Sequence, residues 1–143
     1  MQNTQNIDRK RLLIVFIPGI LIMAILLFFI FRNIKCEKLL SKNSGMQKKA
    51  YSYYSEEHML GNGTRAVSTG FYLNYNGKKY KVTTKKFAEP IAIGTPIIVR
   101  FIPESPDCYE ILWDSVFIYE NVKYEYFYVE EKGYDCKLTK IKN

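Results

Sequence analysis

The 143-residue sequence holds few of the side chains on which active sites depend. It has one histidine, His58, and three cysteines, Cys36, Cys108 and Cys136, none in a C-x-x-C or H-x-x-x-H spacing. Because metal sites need such ligand clusters, we expect no metal and no cofactor. The sequence also lacks a G-x-S-x-G nucleophile elbow and a G-K-[ST] phosphate loop. Without a convergent acid, base and nucleophile, we expect that the protein is not an enzyme.

Two isolated features resemble parts of active sites. Residues 61–66 match the dinucleotide-binding pattern G-x-G-x-x-A, but a polar segment precedes them and a strand pattern follows. That site needs a strand before the glycines and a helix after them, so we interpret 61–66 as a glycine-rich turn. His58 lies beside Glu56 and Glu57, which is typical of a solvated loop.

Excess positive charge is missing from most of the chain, although the whole chain carries +7. Residues 1–49 hold nine Lys/Arg and two acids, whereas residues 50–143 hold twelve of each. Since phosphate contacts need a basic surface, we expect no nucleic-acid partner. The lysines of residues 78–86 are interpreted as the wet face of an exposed strand.

Charge is wholly absent from residues 12–31, LLIVFIPGILIMAILLFFIF. Twenty helical residues span ~30 Å, the thickness of a bilayer core. The run is longer than the apolar part of a signal peptide, and no A-x-A site follows it. We therefore expect an uncleaved, single-pass signal anchor in the membrane.

Basic residues flank this segment on both sides, so the charge rule for membrane orientation leaves the side of the following domain open. The predicted organisation is a basic tail (1–11), a transmembrane helix (12–31), a basic juxtamembrane helix and linker (32–63), and a β-domain (64–143).

Period-two hydrophobic patterns begin at Thr64. Residues 67, 69, 71, 73 and 75 share one face of a predicted strand, and Asn76-Gly77 predicts a tight hairpin turn. Further strands are predicted at 78–85, 96–102, 108–113, 115–120, 122–129 and 135–141. Short strands with little helix predict a mainly β fold, a small antiparallel β-barrel or sandwich of six to seven strands.

One stretch resembles a known group of proteins. Asn76-Gly77-Lys78-Lys79-Tyr80 gives N-G-K-x-Y, residues 94–101 follow G-x-x-x-x-V-x-F, and residues 103–106 give P-x-x-P. The set is similar to uncharacterised bacterial membrane-anchored proteins with a small β-domain, a domain-of-unknown-function family. The resemblance covers residues 64–114 and implies a fold and a bacterial cell-membrane location. It implies no activity and no site residues.

Cys108 and Cys136 fall in separate predicted strands and form a candidate disulfide, which would indicate an oxidising compartment. Two buried thiols account for the same residues equally well.

Our leading hypothesis is a non-enzymatic membrane protein whose β-domain binds another protein or an envelope component. Strand addition at a sheet edge is the expected mode, near residues 71–75 or 124–129. The candidate partner-binding residues are Tyr124, Tyr126 and Tyr128. The alternatives are a membrane-tethered sensor or immunity-type inhibitor, and a degenerate ligand-binding barrel or hydrolase, which would need an internal polar cavity.

Overall fold

A computed structural model of the chain describes residues 4–42 and 45–141, and side chains from residue 16 onward. The chain divides into two compact units, with the boundary in the sequence between Leu39 and Leu40. The first is helical, and the second contains the strands. These are β1 (Met46–Met59), β2 (Arg65–Tyr75), β3 (Lys78–Phe87), β4 (Pro96–Ile102), β5 (Ser105–Ile111), β6 (Val116–Tyr119), β7 (Val122–Val129) and β8 (Gly133–Lys140).

Helix α1 (Thr4–Lys42) is continuous through the predicted transmembrane and juxtamembrane segments. Pro18 lies inside it, which membrane helices tolerate better than soluble ones. By length and composition, residues Phe16–Lys42 could cross a membrane. Every residue from 16 to 35 is exposed. A helix that exposes apolar side chains on all sides suits lipid rather than water.

Strand β1 occupies most of the segment that we expected to be a linker. Its period-two pattern is interrupted by an irregularity in the pairing with β2 between Ser52 and Tyr54. The small residues Ala50 and Ser52 are buried, whereas the last four residues, 56–59, are exposed. The interruption and the polar end concealed this strand from the sequence pattern.

The strands form one open mixed sheet in the order β5-β4-β1-β2-β3-β8-β7-β6. The mainly β class is confirmed, but the expected closed barrel or sandwich of six to seven strands is wrong. Strand β1 pairs with both β2 and β4, and this non-sequential pairing sets the order. Strands β3 and β8 join in parallel through a single pair, Phe87 and Tyr134. Within the described residues the two end strands, β5 and β6, do not pair with each other, so the sheet is open.

The β2–β3 hairpin forms as its sequence predicts. Asn76 and Gly77 have φ angles of 48° and 73°, which a two-residue turn between twisted strands requires. The predicted inward residues Val67, Thr69 and Phe71 are buried. The lysines of β3 are exposed.

Apolar side chains fill the inner face of strands β1–β4. The largest fully buried residues are Phe71, Phe101, Leu73, Ile97, Val82, Val99, Thr69 and Pro96. This filled interior differs from the polar cavity that a degenerate ligand-binding barrel would need.

Strands β6, β7 and β8 extend the sheet beyond β3. Glu120 and Asn121, with φ angles of 50° and 60°, form the two-residue turn between β6 and β7. The Trp113 and Tyr134 rings stack at 4.2 Å, and Phe87 meets the Trp113 ring edge-on at 5.3 Å. This aromatic group lies beside the single β3–β8 pair.

Candidate partner-binding surface

The three tyrosines predicted to bind a partner share one face of β7, but the middle one belongs to the core. Tyr126 is 5% exposed, and its hydroxyl donates a 2.6 Å hydrogen bond to the Pro96 carbonyl. Burial raises the pKa of Tyr126 above its usual value. A partner could not reach this ring without opening the core.

Tyr124 and Tyr128 lie in different surroundings from each other. Tyr124 is partly buried and stacks on Phe117 at 5.4 Å. Tyr128 is 62% exposed and meets Tyr134 edge-on. The structure therefore does not bring the three tyrosines into one accessible surface.

The strand edges expected from sequence also need correction. Residues 71–73 of β2 pair with β1 on one side and β3 on the other, whereas Asn74 and Tyr75 pair with β3 alone among the described strands. Residues 122–125 of β7 pair with both β6 and β8. Residues 126–129 of β7 pair with β8 alone in the described part of the chain, so the free edge in this region consists of β6 and the end of β7.

The β6 edge, meaning the outer side of Val116–Tyr119, ends the sheet order. Within residues 4–42 and 45–141, no other strand pairs with it. Tyr119 and Val122 flank the two-residue turn, and such a pair exchanges hydrogen bonds within the hairpin. By alternation, the backbone N–H and C=O groups of Val116 and Ile118 point away from β7.

The β6 edge carries no protecting side chain. Val116 and Ile118 are 55% and 60% exposed, and the strand VFIY contains neither a charge nor a proline. Natural sheets usually guard their edges with lysines, prolines or inward charges. Strands β3 and β8 carry lysines and β5 carries Pro106. Residues 126–129 of β7, which of the strands described pair with β8 alone, are uncharged like β6.

The exposed sheet face beside this edge is apolar except for one ion pair, whose charges cancel. Val116 and Ile118 share it with Phe127 of β7, which is 41% exposed. Lys123 lies opposite Ile118 and Glu125 opposite Val116, and their Nζ and Oε2 atoms are 3.4 Å apart. The face therefore offers apolar contact and little net charge.

Acidic residues stand at both ends of β6. Asp114 precedes the strand by two residues and Glu120 follows it directly, and both are exposed. The pKa of Tyr119 is raised to about 12. The largest cause is a hydrogen bond from its hydroxyl to Glu120, and the second is a hydrogen bond with Tyr51. On the opposite face, Lys49 Nζ lies 4.9 Å from the centre of the Tyr119 ring.

An open groove of about 660 Å³ borders the start of β6. It is lined by Thr83, Thr84, Lys86, Tyr109, Glu110, Ile111, Leu112, Trp113, Asp114, Ser115 and Tyr134. The Thr83 N–H donates to the Tyr109 hydroxyl at 3.1 Å, which ties β3 to β5. The Ser115 hydroxyl is shielded and has no hydrogen-bond partner in the described part of the chain.

The remaining candidate residues do not form a chemical centre. Cys136 is a free thiol, so the candidate Cys108–Cys136 disulfide is not formed in the structure. Cys108 is buried in β5, with its Sγ 3.5 Å from the Ser105 hydroxyl. His58 is exposed near the end of β1. Among the described residues, no group of three or more His, Cys, Asp or Glu could hold a metal ion.

Cys136 is expected to alkylate slowly. Burial raises the pKa of its thiol, and only the thiolate reacts. In the full chain in detergent at pH 8, iodoacetamide should modify Cys136 about tenfold more slowly than a cysteine replacing exposed Thr139 on the same strand. Peptide mass spectrometry measures both rates. Equal rates would show that Cys136 is not shielded.

Sequence reasoning missed the β6 edge, although one signal for it was present. Residues 116–119, within the predicted strand 115–120, carry no charge, whereas the predicted strands on either side, 108–113 and 122–129, both contain charged residues. What the sequence does not show is that this strand ends the sheet.

No protein-family model, curated protein or solved structure matches the chain. What the protein does is therefore inferred from its own surfaces.

Proposed function

We propose that this chain is a single-pass membrane protein that is not an enzyme, and that its β-domain binds another protein. The partner contributes an extended segment that pairs with the β6 edge. The observation that carries the proposal is the open, uncharged β6 edge with exposed Val116 and Ile118. Helix α1, which could cross a membrane, supplies the anchor.

Strand addition uses groups that the fold leaves unpaired. The N–H and C=O groups of Val116 and Ile118 offer up to four backbone hydrogen bonds to an extended chain. The partner's side chains on the exposed face would cover Val116 and Ile118 and approach Phe127. This removes apolar surface from water, which favours binding.

A four-residue strand alone gives a small interface, and the neighbouring groove enlarges it. The groove begins at Ser115, directly before β6, and contains Trp113. A large side chain of the partner, placed beyond the paired segment, fits this space. Buried aromatic contacts of this kind commonly dominate the energy of an interface.

A second copy of this chain fits the β6 edge less well than a different protein does. Two β6 strands paired antiparallel would bring Asp114 of one copy near Glu120 of the other, and like charges repel. The four-residue contact is also far smaller than the interfaces of stable dimers.

The test is site-specific crosslinking of the full chain in the cells that make it. A photoreactive p-benzoylphenylalanine replacing Ile118 should give an adduct with a second, different polypeptide. The same residue replacing Leu138, which is similarly exposed at 57%, should not. Adding Val116→Lys should reduce the adduct about tenfold, because a charged side chain blocks strand addition at an edge.

The control for that charge is Lys at Thr139, which is exposed on β8 and away from the β6 edge. Thr139→Lys should leave the adduct unchanged. The proposal is wrong if the adducts at the two photoreactive positions are equal. It is also wrong if the adduct contains only this chain, or if Val116→Lys has no effect.

A further inference from the structure

We infer that the partner segment is basic at both ends: an extended strand with apolar residues at alternate positions, flanked by Lys or Arg. This rests on the proposed function and names the chemistry of its partner. The pattern is [KR]-x-Φ-x-Φ-x-[KR], where Φ is a β-branched or aromatic residue. The two Φ residues lie opposite Val116 and Ile118.

The acids at the ends of β6 set the charge of the flanks. Asp114 lies two residues before Val116, and Glu120 lies two residues after Ile118. Basic residues two positions outside the Φ pair lie at the two ends of β6, next to Asp114 and the turn residue Glu120. The spacing is symmetric, so it holds for parallel and antiparallel addition.

The acids remain able to accept a cation. The Tyr119 hydroxyl uses one acceptor site of Glu120, and a carboxylate has about four. Asp114 also lines the groove at the other end of the strand.

Two of the cations near β6 are engaged with other groups. Lys123 is paired with Glu125 at 3.4 Å. Lys49 lies over the rings of Tyr119 and Phe117, which belong to the face opposite Val116 and Ile118. The edge therefore has an acidic residue at each end and the Lys123–Glu125 ion pair beside its middle, and Lys86 lines the groove that Asp114 also lines.

The test measures the binding of three labelled peptides to the full chain by fluorescence anisotropy. The peptides are KTVTVTK, STVTVTS and ETVTVTE, with blocked termini. The chain is held in nanodiscs of phosphatidylcholine, which has no net charge, and empty nanodiscs give the background. The basic peptide should bind about fivefold more tightly than the neutral one, and the acidic peptide should bind most weakly.

Two variants separate charge from strand pairing. Asp114→Asn combined with Glu120→Gln should abolish the preference for KTVTVTK and leave STVTVTS binding unchanged. Ile118→Pro should abolish binding of all three peptides, because it removes an N–H that points to the free edge. Proline is tolerated on edge strands, and Ile118→Lys serves as a second variant if the proline disturbs folding. Salt at 0.5 M should also remove the preference.

The outcomes distinguish this inference from the proposed function. If the three peptides bind equally and Ile118→Pro abolishes binding, strand addition stands and the charge inference is overturned. If no peptide binds in a way that depends on Ile118, the proposed function itself fails. If the apparent affinity for KTVTVTK falls as the concentration of the full chain is raised, a second copy occupies the β6 edge and the inference is again overturned.

Discussion

Replacing Phe71 with alanine should lower the free energy of unfolding of the β-domain by about 3–5 kcal/mol. Phe71 is 0% exposed and lies in β2, which is placed between β1 and β3 in the sheet. Its ring centre lies 6.1 Å from that of Phe87. Removing the ring leaves a cavity in a packed interior, which costs both transfer energy and lost contacts.

Thermal unfolding of the full chain in detergent, followed by near-ultraviolet circular dichroism, measures this loss. The midpoint should fall by about 15–30 °C. Phe127→Ala is the matched control, because Phe127 is 41% exposed and has no place in the core cluster. Its midpoint should change by only a few degrees. If Phe71→Ala and Phe127→Ala had equal effects, the assignment of the core to the inner face of β1–β4 would be wrong.

The sequence predicted the strands β2 and β3 of this core, because short-range patterns in the sequence specify them. In β2 and β3, alternating residues and Asn76-Gly77 specify strand, face and turn within twenty-odd neighbouring residues. The buried inner face and the positive φ angles of the turn confirm that prediction.

Strand β1 escaped prediction because its pattern depends on distant contacts. The irregularity between Ser52 and Tyr54 shifts the alternation in mid-strand. The Tyr54 ring fits only because Gly70 on β2 has no side chain: a Cβ there would overlap the ring. This fit depends on residues of both β1 and β2, so the sequence of β1 alone does not reveal it.

At the candidate partner-binding surface, too, the sequence predicts local features but not those that depend on distant contacts. Tyr126 has the alternation of a half-exposed strand residue. It belongs to the core because it packs against Phe87 and donates a hydrogen bond to Pro96, residues 39 and 30 positions away. The uncharged character of β6 is visible in the sequence. Its place at the end of the sheet follows from β3 pairing with β8, and no local pattern encodes that pairing.

Gly133→Ala is the second variant with a large expected effect, because Gly133 lies beside the single residue pair that joins β3 to β8. Gly133 has a φ of 113°, a conformation that costs a residue with a side chain about 1–3 kcal/mol. A Cβ there would also overlap the Lys86 carbonyl oxygen and lie 3.3 Å from the Ala88 nitrogen. The Ala88 N–H donates to Tyr134 at 2.8 Å, beside the one β3–β8 pair. We therefore expect alanine to separate strands β6–β8 from β3.

Trp113 reports on this separation directly, because it is the only tryptophan and stacks on Tyr134 at 4.2 Å. In the full chain, Gly133→Ala should shift Trp113 emission towards that of a solvated indole and lower the unfolding midpoint by about 10 °C or more. The matched control is Gly61→Ala, since a Cβ at Gly61 meets nothing within 4 Å. That variant should leave both readouts unchanged. Unaltered Trp113 emission in Gly133→Ala would mean that β8 is held against β3 by contacts other than this close approach. In that case the position of the β6 edge would depend on the aromatic packing around Trp113 rather than on the glycine.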